Sequence, residues 1–306
     1  MNGDRQDNRL IWLNGVLVNV NDAKINALSP TAQFGLNVFE GIRCYWNDAR
    51  RTLFAFRLDD HLKRLQTSAE LLEIDSPYSL EELRQAFRAP VTANGYREDI
   101  AVRMMLFVDG FGTWSSHGPA GMFVSPIAKK RLSAEYQKEG LRCKISTVER
   151  IHAKSMSPLI KCGANYINSR MAMLEAQKEG FDTAVLLNRG GTVAEATGSC
   201  VFIVKDGRLS TPMLSDSILA SITRDTVIRM AAAMGIPTEE RPVLPEELFT
   251  CDEAFLCGTA MEIKSVESFD GRTVENRGGG NVTRALQEEY ARSVLGEGPR
   301  EWVTPL

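Results

Sequence analysis

Lys161 stands between Ser157-Pro158-Leu159-Ile160 and the small residues Cys162-Gly163-Ala164 that lead into Asn165-Tyr166. A lysine with apolar and small neighbours on both sides is open to desolvation, which lowers its pKa and suits the amine to Schiff-base chemistry. On spacing alone, an ordinary solvated surface lysine fits the same position. Glu195 lies in Gly190-Gly191-Thr192-Val193-Ala194-Glu195-Ala196-Thr197-Gly198-Ser199, just ahead of an apolar strand predicted from Cys200 to Val204; a plain turn carboxylate would look alike. Gly258-Thr259-Ala260 follows the apolar Ala254-Phe255-Leu256-Cys257, and Ser221-Ile222-Thr223 precedes a predicted helix. Each puts hydroxyls and backbone N–H groups at an element end, where anions bind well and where ordinary caps also occur.

Other chemistries have less to stand on. His61, His117 and His152 are the only histidines, at no ligand spacing and without an HExxH, so no metal is expected. No GxGxxG or GxxxxGK[ST] loop is present to cradle a nucleotide. Cys44, Cys143, Cys162, Cys200, Cys251 and Cys257 form no CxxC, and five of the six sit in apolar or alternating segments, as free thiols of a reducing compartment would. The charge sum is 36 − 39 = −3 with no run of like charge that would make a basic stripe, so neither nucleic acid nor an anionic membrane has an obvious electrostatic footprint. No stretch approaches the roughly 18 apolar residues of a membrane span. Met1 to Arg9 is polar and mixed in charge where a signal peptide needs an apolar region. A cytoplasmic protein acting on small molecules is the expectation.

The elements that must position these residues are read from period and punctuation. Asn14-Gly15 between Ile11–Leu13 and Val16–Val18 predicts a type I′ hairpin. From Asp59, taken as N-cap, Leu62, Leu65, Ala69 and Leu72 recur on one helical face that also carries Arg64. Ser79-x-x-Glu82 is a capping box that opens a helix through Ala89, followed by strands Ile100 to Val108 and Met122 to Ile127. The charged Ala128–Ser133 stretch interrupts the pattern, and a strand resumes over Arg142 to Val148. Helices are predicted for Tyr166–Glu179, ended by Gly180, for Ile222–Met234, ended by Gly235, and for about Val282 to Leu295, with a strand over Thr183 to Leu187. Asp206-Gly207 and Asp270-Gly271 predict two further hairpins. Mixed hairpins and helices in both halves argue α+β layers and not a doubly wound sheet. With 306 residues, two domains are expected: a small N-terminal one over 1–126, a linker over 127–139 and a large C-terminal one over 140–306.

Taken together, the motifs form an ordered set. Phe39-Glu40-Gly41-Ile42-Arg43-Cys44-Tyr45, His61-Leu62-Lys63-Arg64-Leu65, Lys161-Cys162-Gly163-Ala164-Asn165-Tyr166, Glu195-Ala196-Thr197-Gly198-Ser199, Ile222-Thr223-Arg224-Asp225 and Gly258-Thr259-Ala260 resemble the motifs of class IV aminotransferases, from about Ile11 to Leu295. These are fold-type IV enzymes dependent on pyridoxal 5′-phosphate (PLP), and the likeness is greatest to the branched-chain amino acid aminotransferases. The resemblance implies a two-domain α+β fold with the active site between the domains. It implies that Lys161 carries the cofactor and shuttles a proton, that Glu195 pairs with the pyridine nitrogen, and that Tyr166 lies beside the ring hydroxyl. It further implies that Arg64, Ile222, Thr223 and Thr259 form the phosphate cup. Lys154 lacks the Gly-Ala-Asn-Tyr sequel and is read as surface.

On the substrate side the resemblance assigns Phe39, Arg43, Arg103, Ala260 and Met261, with Arg103 suited to a carboxylate. Ala101 stands where the branched-chain enzymes usually carry a tyrosine, Phe34 replaces another, and Ala128 stands near an expected tryptophan. The expected activity is ping-pong transfer of an amino group between an amino acid donor, branched-chain-like or bulkier and of L configuration, and a 2-oxo acid acceptor, by a homodimer or higher oligomer. Alternatives of the same fold are an (R)-amine or D-amino acid transaminase and a β-eliminating enzyme like aminodeoxychorismate lyase. A non-catalytic binding homologue would be signalled by loss of Lys161 or Glu195, and both are kept.

Overall fold

The structure, a computed structural model, describes residues 8–306, so of the polar Met1–Arg9 segment residues 1–7 lie outside the described residues. The chain divides into two compact units. The first takes in the chain up to Lys130 together with Ile160–Ala164 and Pro299–Leu306; the second takes in Arg131–Leu159 and Asn165–Gly298.

Unit 1 is an antiparallel sheet with helices on one face. Its strands are β1 (Leu10–Leu13), β2 (Val16–Asn19), β3 (Asn37–Asn47), β4 (Thr52–Phe56), β5 (Ile100–Val108), β6 (Ala120–Ala128) and the C-terminal strand Val303–Pro305. Their order is Val303–Pro305, β4, β3, β5, β6, β1, β2. Helix α1 (Pro30–Phe34) is short; α2 (Leu58–Leu71) and α3 (Leu80–Asn94) are the covering helices. Period-2 alternation sorts the sheet. Val38, Ile42 and Cys44 of β3, Val102, Met104 and Leu106 of β5, and Met122 and Val124 of β6 enter a core with Leu58, Leu62 and Leu65 of α2 and Leu83, Phe87 and Val91 of α3. Each large side chain so buried contributes about 1.5–3 kcal/mol. The odd-numbered residues, among them Phe39, Gly41 and Arg43 of β3 and Ala101, Arg103 and Met105 of β5, occupy the other face, with Gly41 opposite Arg103 and Arg43 opposite Ala101.

Unit 2 holds the second sheet: β7 (Leu141–Ile145), β8 (Thr183–Leu187), β9 (Val193–Ala196), β10 (Cys200–Lys205), β11 (Arg208–Thr211), β12 (Thr238–Glu240), β13 (Glu253–Gly258), β14 (Glu262–Phe269) and β15 (Arg272–Thr273). The order is β12, β11, β10, β13, β14, β7, β8, β9, with β15 on β14. The pairs β11 with β12, β14 with β7 and β7 with β8 are parallel. Its helices are α4 (Ala134–Lys138), α5 (Asn165–Lys178), α6 (Ile222–Ala233) and α7 (Asn281–Arg292). Val201 and Ile203 of β10, Ala254 and Leu256 of β13 and Val266 and Phe269 of β14 form its main core. All six cysteines are buried free thiols. Among the described residues no helix is long and apolar enough to cross a membrane, and no group of three or more His, Cys, Asp or Glu is gathered to hold a metal ion.

Asn14-Gly15, Asp206-Gly207 and Asp270-Gly271 all take positive φ and turn hairpins as expected. Several boundaries differ from expectation. The N-cap of α2 is Arg57, in the left-handed region with no side-chain cap, and Asp59 sits in the first turn; Arg57 is held there by its N–H, which donates to Trp302 C=O, and by an ion pair to Asp60. The capping box of α3 is present, but the helix runs past Ala89 and through Pro90 to Asn94. One lost backbone bond at Pro90 is outweighed by the apolar stripe that continues through Val91. The strand expected over Arg142 to Val148 stops at Ile145, and the last helix gives way after Arg292 to a wider turn over Ser293–Glu297. In the 127–139 stretch, Ile127 and Ala128 finish β6 and Ala134–Lys138 is helical.

Candidate active site

Lys161 belongs to Ile160–Ala164, the stretch that joins unit 1 from far along the chain. Strand β4 pairs only with Cys44–Asn47 of β3, which leaves the start of that edge open, and Cys162 takes it through a bridge with Val38. Phe39 N–H donates to Lys161 C=O at 2.9 Å, and Lys161 N–H donates to Ser68 Oγ of α2 at 3.2 Å. Gly163 N–H donates to Asn37 Oδ1 at 3.2 Å, and a Cβ on Gly163 would lie 2.8 Å from that oxygen, so the glycine is demanded by close approach. The lysine backbone is thereby tied on both sides. Its Nζ lies 5.1 Å from the centroid of the Phe39 ring, and Arg103 Cζ lies 4.2 Å from the same centroid.

The remaining sequence-predicted residues of unit 1 are placed differently. Arg43 is 1% exposed; its Nη2 donates to Lys129 C=O at 3.0 Å and its guanidinium lies 5.0 Å over the Tyr45 ring. Ala101 is half-buried between Arg43 and Ile127 in the register. Phe34 is exposed at the end of α1, Ala128 is exposed, and Lys154, in unit 2, is exposed. Arg64 is engaged by Glu40: Nε donates to Oε1 at 2.7 Å and Nη2 to Oε2 at 2.8 Å, while His61 Nδ1 lies 2.7 Å from Oε2. Burial alone would raise the Glu40 carboxyl, but Arg64 and His61 outweigh it and hold it well below the ordinary carboxylate range. Burial lowers the His61 pKa, and Glu40 opposes this without cancelling it.

In unit 2, Glu195 lies inside β9 and not merely ahead of a strand. Arg150 Nη2 stands 2.6 Å from Glu195 Oε1, and Leu219 N–H donates to Oε2 at 3.1 Å. Both partners are buried. Arg150 also donates from Nη1 to Asn168 Oδ1 of α5 at 3.3 Å and from Nε to Ser217 C=O at 3.3 Å. The carboxylate is therefore linked to the start of α5, where Tyr166 is 38% exposed, and to the loop that enters α6. At the start of α6, Ser221 Oγ accepts from Arg224 N–H, and the N–H groups of Ile222 and Thr223 lie outside the helix's own ladder. Thr259, Ala260 and Met261 form the turn from β13 to β14, closed by Met261 N–H donating to Gly258 C=O at 3.1 Å. Cys257 pairs with Cys200, so this turn lies beside Gly198-Ser199.

Arg150, Glu40, His61 and Ser68 were not singled out as site residues from the sequence. A signal existed for Glu40, a carboxylate at an even, core-facing position of an alternating strand, and for His61 and Arg64 at i, i+3 on one helix face. Arg150 carries no comparable signal, because its partners lie in three other segments.

The residue types present fit PLP. Lys161 offers an amine on an aromatic platform, Glu195 is a carboxylate fixed by an arginine, as a protonated ring nitrogen needs, and a helix start with Thr223 suits a phosphate dianion. The family described as amino-transferase class IV matches residues 37–269. The chain is 34% identical over 302 residues to the probable branched-chain-amino-acid aminotransferase of Aquifex aeolicus (strain VF5), covering 96% of each chain. It is similar to the crystal structure of the branched-chain aminotransferase from Thermoproteus uzoniensis with norvaline, at 39% identity and a TM-score of 0.90, over 97% of this chain and 99% of that one. It is similar also to the PLP-form of the branched-chain amino acid aminotransferase from Thermobaculum terrenum, at 37% identity and a TM-score of 0.91, over 98% and 99%. The chain belongs to the class IV aminotransferases and is a PLP-dependent transaminase of fold type IV.

Proposed function

We propose that this transaminase moves the amino group of an apolar L-amino acid, branched-chain or bulkier, to a 2-oxo acid by a ping-pong mechanism. The observation that carries the reading is the shared platform of Phe39, with the amine of Lys161 and the guanidinium of Arg103 at 5.1 and 4.2 Å from its centroid. A proton-moving amine and a carboxylate-binding cation above one apolar ring are what an α-amino acid with an apolar side chain requires.

Bound PLP supplies the electron sink that makes the Cα proton removable. Lys161 would carry the cofactor and move the proton at Cα, its backbone held by hydrogen bonds to Ser68 and Phe39. Glu195, its carboxylate kept from rotating by Arg150 and the Leu219 N–H, would pair with the pyridine nitrogen. Tyr166 would serve the ring hydroxyl, and Arg64, Ile222, Thr223 and Thr259 would hold the phosphate. Arg103 would receive the substrate carboxylate, with Phe39, Ala260 and Met261 on the substrate side and the buried Arg43 behind them, its guanidinium held by Lys129 C=O. Relatives named for branched-chain amino acids support an apolar donor. The half-buried Ala101 in place of a phenol leaves space for bulk. We further propose a cytoplasmic location, in keeping with the free cysteines, and at least a homodimer. The deciding experiment is a donor panel against 2-oxoglutarate and pyruvate, scored for rate and stereochemistry: activity confined to D-amino acids or (R)-amines would overturn the reading, and a monomeric mass for active protein would overturn the dimer.

A further inference from the structure

We propose that Glu40 and His61 are positioning residues that set the plane of the Arg64 guanidinium for a cofactor phosphate. This rests on the reading of Arg64 given above and deepens it. Glu40 occupies a core-facing position of β3 between Val38 and Ile42 and is fully buried. An apolar side chain of similar volume would serve stability there at least as well, so a charge in this place is better explained by orientation than by strength.

Both carboxylate oxygens are engaged from α2. Glu40 meets the Nε and Nη2 edge of Arg64 at two points, 2.7 and 2.8 Å, so the guanidinium plane is fixed and the direction of Nη1 follows from it. His61, three residues earlier on the same helix, contacts Oε2 at 2.7 Å and keeps the carboxylate from turning about its own side-chain bonds. The Arg64 side chain is 13% exposed while its anchor is at 0%, so an anion reaches the arginine and not the clamp. One turn further along α2, Ser68 accepts from the Lys161 N–H. One rigid helix therefore holds both the arginine and the lysine backbone, and a misdirected Arg64 is misdirected relative to Lys161.

The test measures dissociation constants of pyridoxamine and pyridoxamine phosphate on the full chain by fluorescence titration. Their ratio isolates the phosphate, and neither ligand forms an imine with lysine. Arg64→Ala should lower the ratio about tenfold or more, Glu40→Gln should lower it comparably, and the double variant should go no lower than Arg64→Ala alone. If Glu40→Gln weakens both ligands equally, or if the two effects add, Glu40 is structural and the inference fails while the role of Arg64 stands. If Arg64→Ala leaves the ratio unchanged, the reading of Arg64 fails and takes the inference with it. Should Glu40→Gln not fold, Glu40→Asp and His61→Gln make the same comparison: a ratio lowered twofold or more supports the clamp, and an unchanged ratio overturns it.

Discussion

Arg150 and Glu195 meet at 2.6 Å inside unit 2, and the arginine reaches from that contact to Asn168 of α5 and to the Ser217 carbonyl. A buried carboxylate so held has one orientation. Replacing Arg150 by methionine strands Glu195 without its charge partner, a change typically costing about 3–5 kcal/mol, so the thermal midpoint should fall together with the rate. Glu195→Gln keeps the shape of the side chain but leaves the buried Arg150 charge unpaired, so its midpoint should fall as well, while the rate of amino transfer drops by roughly 10² to 10⁴, the size of effect seen when a proton-transfer or charge partner is removed from a reacting centre. Unchanged turnover in Glu195→Gln would reduce this carboxylate to a strand residue.

Lys161 and Lys154 provide an internal control. Lys161 is half-buried with its backbone bonded on both sides, and Lys154 is exposed. Borohydride treatment of protein loaded with PLP, followed by peptide mapping, should label Lys161 alone. Lys161→Ala should lose both label and activity, and Lys154→Ala should retain both. Label on Lys154 would refute the assignment. Ser68→Ala removes one hydrogen bond to the Lys161 N–H and should cost only about 0.5–1.5 kcal/mol of stability.

The Glu40–His61–Arg64 group makes stability fall on acidification, and the sign is the same for both titrating members. His61 has its folded pKa lowered, so below about pH 6.5 the unfolded chain binds the proton that the folded chain refuses, and stability is lost as pH falls from there. Glu40 has its folded pKa lowered too; its contribution is complete above the ordinary carboxylate range near pH 4.3 and drains away below it. Glu40, Arg64 and Lys161 are the charged groups that act on His61. Denaturant unfolding as a function of pH should show two limbs, and His61→Gln should flatten the upper one and leave the lower. An upper limb that survives in His61→Gln would assign it to another group.

What could be read from the sequence divides along physical lines. The Asn-Gly and Asp-Gly hairpins and the Ser79–Glu82 box were legible because a turn or cap is decided by neighbours within four residues. The start of α2 was not, because Arg57 is held in a left-handed conformation by Trp302, 245 positions away in the chain. The extension of α3 through Pro90 likewise depends on what Val91 packs against. In the site, Lys161 and Glu195 stood out as polar interruptions of apolar or small-residue segments. Arg150 did not, since nothing near it in sequence shows that Glu195, Asn168 and Ser217 converge on it.

Substrate choice is the sharpest remaining consequence, and it turns on Ala101. In the register of unit 1, Ala101 lies opposite Arg43 on one side and Ile127 on the other, two residues from Arg103 and on the same face as Phe39. A phenol at this position would fill space beside Arg103 and could donate to a carboxylate, an interaction with a charged partner worth about 1.5–3 kcal/mol. With a methyl group there instead, the face gains volume and loses a donor, which favours donors whose apolar side chains are larger than leucine's. The expected outcome of a kcat/KM series is that valine, isoleucine and leucine are accepted while a larger apolar amino acid exceeds them. Ala101→Tyr should then reverse the order, lowering kcat/KM for the larger donor about tenfold or more while raising or preserving that for leucine. A different result follows if Arg103 and the Ala260 N–H grip the carboxylate well enough by themselves. Branched-chain donors would then lead by tenfold or more in the unmodified protein, Ala101→Tyr would change leucine turnover little, and the argument from lost volume and a lost hydroxyl would be wrong.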